Sequence, residues 1–133
     1  MKASAEWKQG MLFEGKSQSG HTVRFDAGDR HAEGPSPMEM VLAALCGCTS
    51  VDVVSILQKK REPLEGLTVS AQAEQAADPP RVFTRIHLTY SIRGKVTPKA
   101  AEDAVSLSKN KYCSVSKMLE KSAEVSYSIE YES

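Results

Sequence analysis

The sequence predicts an α+β protein built on antiparallel sheets, and three observations carry that prediction. Runs of alternating apolar and polar residues lie near both ends of the chain and in its second half, which is the period of half-buried strands. One long apolar helix with a well-specified start separates the first strands from the rest. The order is strands, a helix, strands, helices and a last strand, rather than the strict alternation of a doubly wound parallel sheet.

From Lys2 to Ala27 the chain mixes short β-type runs, AEW, MLFEG and SQSGHTVRFD, with turn residues, and a hairpin is expected near Ser19 and Gly20. The following stretch, GDRHAEGPSP, is polar and rich in Gly and Pro, so it is a loop whose length makes it a candidate for function. In GPSPMEMVLAALCGCTS, Ser36 offers an N-cap, Pro37 takes the first helical position, and Glu39 completes a capping box. The helix then runs through Ile56 and Leu57 into the basic end QKKR and stops before Pro63. LTVSAQAEQ and VFTRIHLTYSI form an antiparallel hairpin around AADPPR. Thr97 and Pro98 start a second helix, a third spans about Ser114 to Lys121, and AEVSYSIEY closes the chain as a strand.

At 133 residues the chain fits a single domain, residues 1–133. Seventeen basic residues balance 17 acidic ones, so the cationic excess that draws proteins to nucleic acid or anionic lipid is missing, and no nucleic-acid partner is expected. MKASAEWKQG lacks the apolar core of a secretory signal, which gives a cytoplasmic expectation. The uncharged stretch from Met40 to Val51 falls well short of the roughly 20 residues of a membrane helix, so no membrane is expected. Because the long helix is apolar all round, one sheet cannot cover it. A second copy of the chain can, and a homodimer with the central helices packed together is expected.

The three cysteines cannot all pair within one chain. Cys46 and Cys48 are two positions apart, about 200° around a helix, so a C-x-C metal clasp is not expected, and His21, His31 and His87 are too scattered for a zinc site. Cys46 reads as a small packing residue and His87 as a solvated strand residue. Cys113 opens the short helix SVSKML, where unpaired backbone N–H groups favour a thiolate, so its pKa is expected to be lowered. Cys48 receives no such help from its own helix, and Asp52 one turn on would oppose its ionisation if it shares that face.

GPSPMEMVLAALCGCTSVDVVSIL, followed 65 residues after Cys48 by the cysteine of YCSVSKML, resembles the OsmC/Ohr family of thiol-dependent peroxidases, and more closely its OsmC-like branch of mostly uncharacterised members. The resemblance covers nearly the whole chain. It implies an OsmC-like fold, with antiparallel sheets wrapped around long central helices in an intertwined homodimer. It also implies that Cys48 attacks an organic or inorganic hydroperoxide and becomes a sulfenic acid. Cys113 then condenses with it to an intrachain disulfide, which a dithiol reductant reopens, a lipoylated protein being the typical donor. No cofactor or metal is implied. The pocket around the thiol would include Met38, Leu45 and Asp52 and would favour fatty hydroperoxides.

The chain departs from the family pattern at the groups that orient the peroxide. Where the well-studied peroxidases carry N-P-E, this chain has Ser36, Pro37 and Met38, and Glu39 comes one residue late, about 180° around the helix from Cys48. The capping box accounts for Glu39 by itself. Arg24, in TVRFD, and Arg30, in the loop, are the candidates for the orienting arginine, each with a solvated side chain as the bland alternative. Two functions therefore stand: a Cys-based hydroperoxide reductase of oxidative-stress defence, or a non-catalytic binding or redox-sensing protein that holds a small apolar ligand in the dimer-interface pocket.

Overall fold

Gly10 and Gly20, with φ of +52° and +91°, supply the left-handed turns that fold the first strands into an antiparallel meander. The strands are β1 (Ala3–Gln9), β2 (Leu12–Ser17) and β3 (Thr22–Asp26), in the order β1-β2-β3. The hairpin expected near Ser19 and Gly20 is closed by the Ser17 N–H donating to the His21 carbonyl at 2.9 Å. The computed structural model describes residues 1–132 and divides into two compact units, Met1–Leu42 and Ala43–Ser133.

In the first unit, Gly15 lies opposite Val23 under the ring of Phe25, where a Cβ would come within 2.6 Å of the ring edge. Every residue of β1 is exposed, including Trp7 at 66%. The polar loop after β3 is organised by Asp26, whose carboxylate accepts the backbone N–H groups of Gly28 and Glu33 at 2.9 and 3.1 Å. The unit ends with the first residues of α1 (Pro37–Lys59) and its capping box. The Glu39 N–H donates to Ser36 Oγ at 3.1 Å, and the Ser36 N–H donates to Glu39 Oε1 at 2.9 Å.

In the second unit, α1 buries the ridge Leu45, Thr49, Val53 and Leu57, spaced by four residues. Its opposite side, Ala43, Ala44, Gly47 and Val51, is open, with Val51 70% exposed and free space beside Gly47. By length and composition alone this 23-residue helix could cross a membrane, more than the uncharged stretch by itself indicated. Within the chain one ridge of it packs into the core, and Asp52 accepts a hydrogen bond from Ser108. The helix ends two residues earlier than the basic run, in a Schellman motif. Arg61 adopts φ +57°, its N–H bonds the Gln58 carbonyl, and the Glu62 N–H reaches back to the Leu57 carbonyl, both at 3.0 Å.

β4 (Leu64–Gln75) and β5 (Phe83–Gly94) form the expected antiparallel hairpin. Phe83, Ile86, Leu88, Tyr90 and Ile92 turn inward from β5. α2 (Pro98–Leu107) starts at Thr97, whose Oγ1 accepts the Ala100 N–H, and buries Ala100, Ala101, Ala104 and Val105. After Leu107 the backbone widens into a π-turn, Ser108–Tyr112. α3 is shorter than expected, Ser114–Leu119. The last strand, β6 (Glu124–Glu132), joins the order β4-β5-β6. One pairing departs from the antiparallel expectation: β6 runs parallel to β5 from Arg85↔Glu124 to Arg93↔Glu132. The intervening α2, π-turn and α3 form a crossover that returns the chain to the same end of the sheet, as parallel neighbours require.

Candidate functional site

The buried ridge of α1 carries one polar member, Thr49, directly after Cys48, and the chain surrounds it with hydroxyls. Thr49 Oγ1 is 2.7 Å from the Tyr90 hydroxyl of β5 and 2.7 Å from Ser108 Oγ at the head of the π-turn. Ser108 in turn donates to Asp52 Oδ2 at 2.8 Å. Thr49 and Ser108 are at most 1% exposed and Tyr90 is fully buried, so these bonds satisfy groups that would otherwise be stranded without water.

Both cysteines singled out in the sequence lie on segments that carry this network, Cys48 directly before Thr49 and Cys113 after the π-turn. Cys113 is fully buried and caps α3, its Sγ accepting the Ser116 N–H at 3.4 Å. Its own N–H donates to the Ser108 carbonyl at 2.8 Å, which ties the cysteine to the π-turn. The half-buried Cys48 thiol is near enough to act on the ionisation of Cys113. Residues 65 positions apart are thus neighbours, and among the described residues no group of three or more His, Cys, Asp or Glu is placed to hold a metal ion.

The expectation of an acidic Cys113 is overturned. Its thiol is pushed up to about 11, first by burial, against which the Ser116 N–H pulls down, while the Cys48 thiol and the Asp52 charge add to the rise. One short helix terminus does not compensate for the loss of water. Burial likewise raises the Tyr90 hydroxyl to about 12, with the Thr49 hydrogen bond opposing and Cys113, Cys46 and Asp52 adding to it. Cys46 is half-buried and is itself raised by burial, as expected of a packing thiol.

Asp52 also borders a cavity of about 410 Å³ whose wall includes Ile56, Lys59, Leu107 and Tyr112. The buried network therefore has one end at an opening. Of the other residues expected in the pocket, Leu45 is fully buried on the packing ridge and Met38 lies in the first unit. Arg24, Arg30 and Glu39 also belong to that unit. Arg24 approaches Glu33 at 3.7 Å with both side chains exposed, Arg30 is exposed in the loop, and Glu39 is held in the capping box, where the Ser36 N–H lowers its pKa. His87 is exposed on β5 and is bonded to Ser126 and Ser128 at 2.7 and 3.0 Å.

Sequence reading missed Thr49, Tyr90 and Ser108. Thr49 alone left a trace, as a β-branched polar residue i+4 from Leu45 on an otherwise apolar ridge.

Protein YhfA of Escherichia coli strain K12 is 44% identical over 131 residues, covering 98% of this chain and 97% of its own length. A hypothetical protein from Aquifex aeolicus VF5 has a crystal structure with a TM-score of 0.85 at 30% identity, covering 99% of this chain and 97% of that one. The fold is shared by an organic hydroperoxide resistance protein from Elizabethkingia anophelis, with a TM-score of 0.76 at 18% identity, covering 98% of this chain and 94% of that one. The model of the OsmC-like proteins matches residues 29–128, a span that contains both Cys48 and Cys113 as well as Thr49, Asp52, Tyr90 and Ser108, and the chain belongs to that family.

Proposed function

We propose that this protein is a thiol-dependent peroxidase that reduces organic hydroperoxides at Cys48 and resolves the product with Cys113. The observation that supports the reading is that Cys48 is near enough to act on the buried Cys113 thiol in an OsmC-like chain. The Cys48 thiolate attacks the distal peroxide oxygen. The O–O bond breaks, the sulfur is oxidised to S–OH, and the alkoxide leaves as alcohol after taking a proton. The Cys113 sulfur then attacks the sulfenic sulfur, an S–S bond replaces the S–O bond, and hydroxide departs as water. A dithiol, of which a lipoylated protein is the typical case, returns both sulfurs to thiols.

In this reading residues 1–133 act as one domain and two copies form the functional unit in the cytoplasm. The open side of α1 and the fully exposed β1 support dimerisation, since both present apolar residues to solvent in the single chain. The competing reading, a non-catalytic binding or redox-sensing protein that holds a small apolar ligand, is favoured by Met38 standing where the peroxidases carry a carboxylate and by the engagement of Glu39 in its cap.

Thiol titration separates the two. One equivalent of an alkyl hydroperoxide added to the reduced protein removes two thiols per chain within minutes and leaves a Cys48–Cys113 bond detectable by mass. Unchanged thiols overturn the peroxidase reading and leave a protein that binds a small apolar ligand.

A further inference from the structure

Asp52, Ser55, Ile56 and Lys59 recur at the i, i+3, i+4 and i+7 spacing of one face of α1, and with Lys60 just past the helix end they line the cavity of about 410 Å³, Leu107 and Tyr112 completing its wall. A space of that size suits a small organic molecule. Asp52 is about 100° around the helix from Val51, so this face is separate from the open side of α1. It is polar at both ends and apolar between them. At one end Asp52 Oδ2 accepts the Ser108 hydroxyl at 2.8 Å, which fixes the carboxylate, while Oδ1 accepts no hydrogen bond among the described residues. At the other end Lys59 makes no ion pair among the described residues, whereas Lys60 is 3.8 Å from Asp103 and Lys111 lies 5.3 Å from the centre of the Tyr112 ring. Between these ends Leu107 and Tyr112 leave 39% and 51% of their surface exposed beside Ile56. A lysine in the last turn of a helix is explained by the helix dipole alone. A carboxylate with an unused acceptor and an uncovered apolar wall on the same face are not.

We propose that this cavity binds a medium-chain ω-hydroxycarboxylate, its carboxylate against Lys59 and its hydroxyl donating to Asp52 Oδ1. The length follows from the helix: Asp52 and Lys59 are separated by about 10 Å along the axis at 1.5 Å per residue, a span that an extended chain of roughly eight carbons covers. Pairing with an exposed ammonium contributes little by itself, so the apolar middle supplies most of the affinity and the two ends supply the selection. A dicarboxylate of the same length sets a second negative charge against Asp52. A diol brings no charge to Lys59, and a simple alkanoate takes water from Asp52 without replacing its hydrogen bond. The proposal deepens the ligand-binding reading above by naming the ligand, which is apolar in its middle and polar at each end, and it uses neither thiol.

Calorimetric titration of the full chain with 8-hydroxyoctanoate, octanoate, octane-1,8-diol and octanedioate tests the proposal. The hydroxy acid should bind saturably, one molecule per chain, roughly fivefold or more tighter than each of the other three. Lys59→Met keeps the apolar stem and removes the charge, so it should weaken the hydroxy acid by roughly fivefold and leave the diol unchanged. Asp52→Asn keeps an oxygen for Ser108 and turns N–H groups toward the cavity, so the preference should invert and octanedioate should bind tighter than it does to the parent chain. A gain of affinity also shows that this variant is folded. Equal affinities for the four probes, no saturable heat from the hydroxy acid at millimolar concentration, or an unchanged order in Asp52→Asn overturns the proposal. None of the probes contains an O–O bond, so the peroxide titration is decided separately. A chain that closes its disulfide but ignores the probes loses only the cavity ligand, and one that binds the hydroxy acid while its thiols stay unreactive is a ligand-binding protein.

Discussion

The thiol of Cys113 accepts a backbone N–H at the start of a helix, an arrangement that by itself favours a thiolate, yet burial holds it at about 11. The two cysteines therefore have unequal tasks in the proposed cycle, and single variants should separate them. Cys48→Ser should abolish hydroperoxide consumption, measured as loss of peroxide with time. Cys113→Ser should permit one equivalent of turnover and end in a sulfinic acid on Cys48, visible as the mass of two added oxygens. The raised pKa also bears on stability. Below the ordinary thiol value of 9.0 Cys113 is protonated in both folded and unfolded chains, and between there and about 11 only the unfolded chain loses its proton. Rising pH across that window should weaken the fold by up to ~2–3 kcal/mol from this residue, and Cys113→Ala should flatten the dependence of the urea midpoint on pH. At this scale the sequence identified both thiols, because a cysteine inside an apolar helix and another opening a later helix are visible as letters. It could not reveal that Cys113 is cut off from water, nor could it connect Thr49, Tyr90 and Ser108 across separations of 41 and 59 residues.

Elements whose signals are local were legible, and those whose geometry is imposed from a distance were not. Ser36, Pro37 and Glu39 announced the start of α1, and both reciprocal bonds of the capping box are present. Ser36→Ala should cost about 1 kcal/mol, read as a shift in the denaturation midpoint. The end of α1 was harder to read, because its left-handed residue is Arg61 rather than the glycine that usually marks such a cap. The π-turn carries no proline or glycine to betray it; SKNKY continues a helical pattern, and the widening follows from the fit of Ser108 between Thr49 and Asp52. Along α1 the apolar composition was read correctly, and the structure resolves it into a buried ridge and an open side that includes Gly47 and Val51. If the open side meets a second copy, Val51→Glu should raise the dimer dissociation constant at least tenfold, equivalent to about 1.4 kcal/mol, in sedimentation measurements, while the far-UV spectrum of the chain stays unchanged.

For the molecule as a whole, the succession of strands and helices was readable because each element has its own period, and the family resemblance rested on that succession together with two cysteines. The direction of the last pairing was not, since alternation in β6 fits either orientation and only the crossover decides it. That crossover has a consequence for how the protein is made. Until Glu124–Glu132 leaves the ribosome, β5 has an unpaired edge and the segment bearing Cys113 is anchored at one end only. The second sheet gains its third strand last, so a ribosome paused before β6 leaves β5 with a free edge open to pairing with other chains.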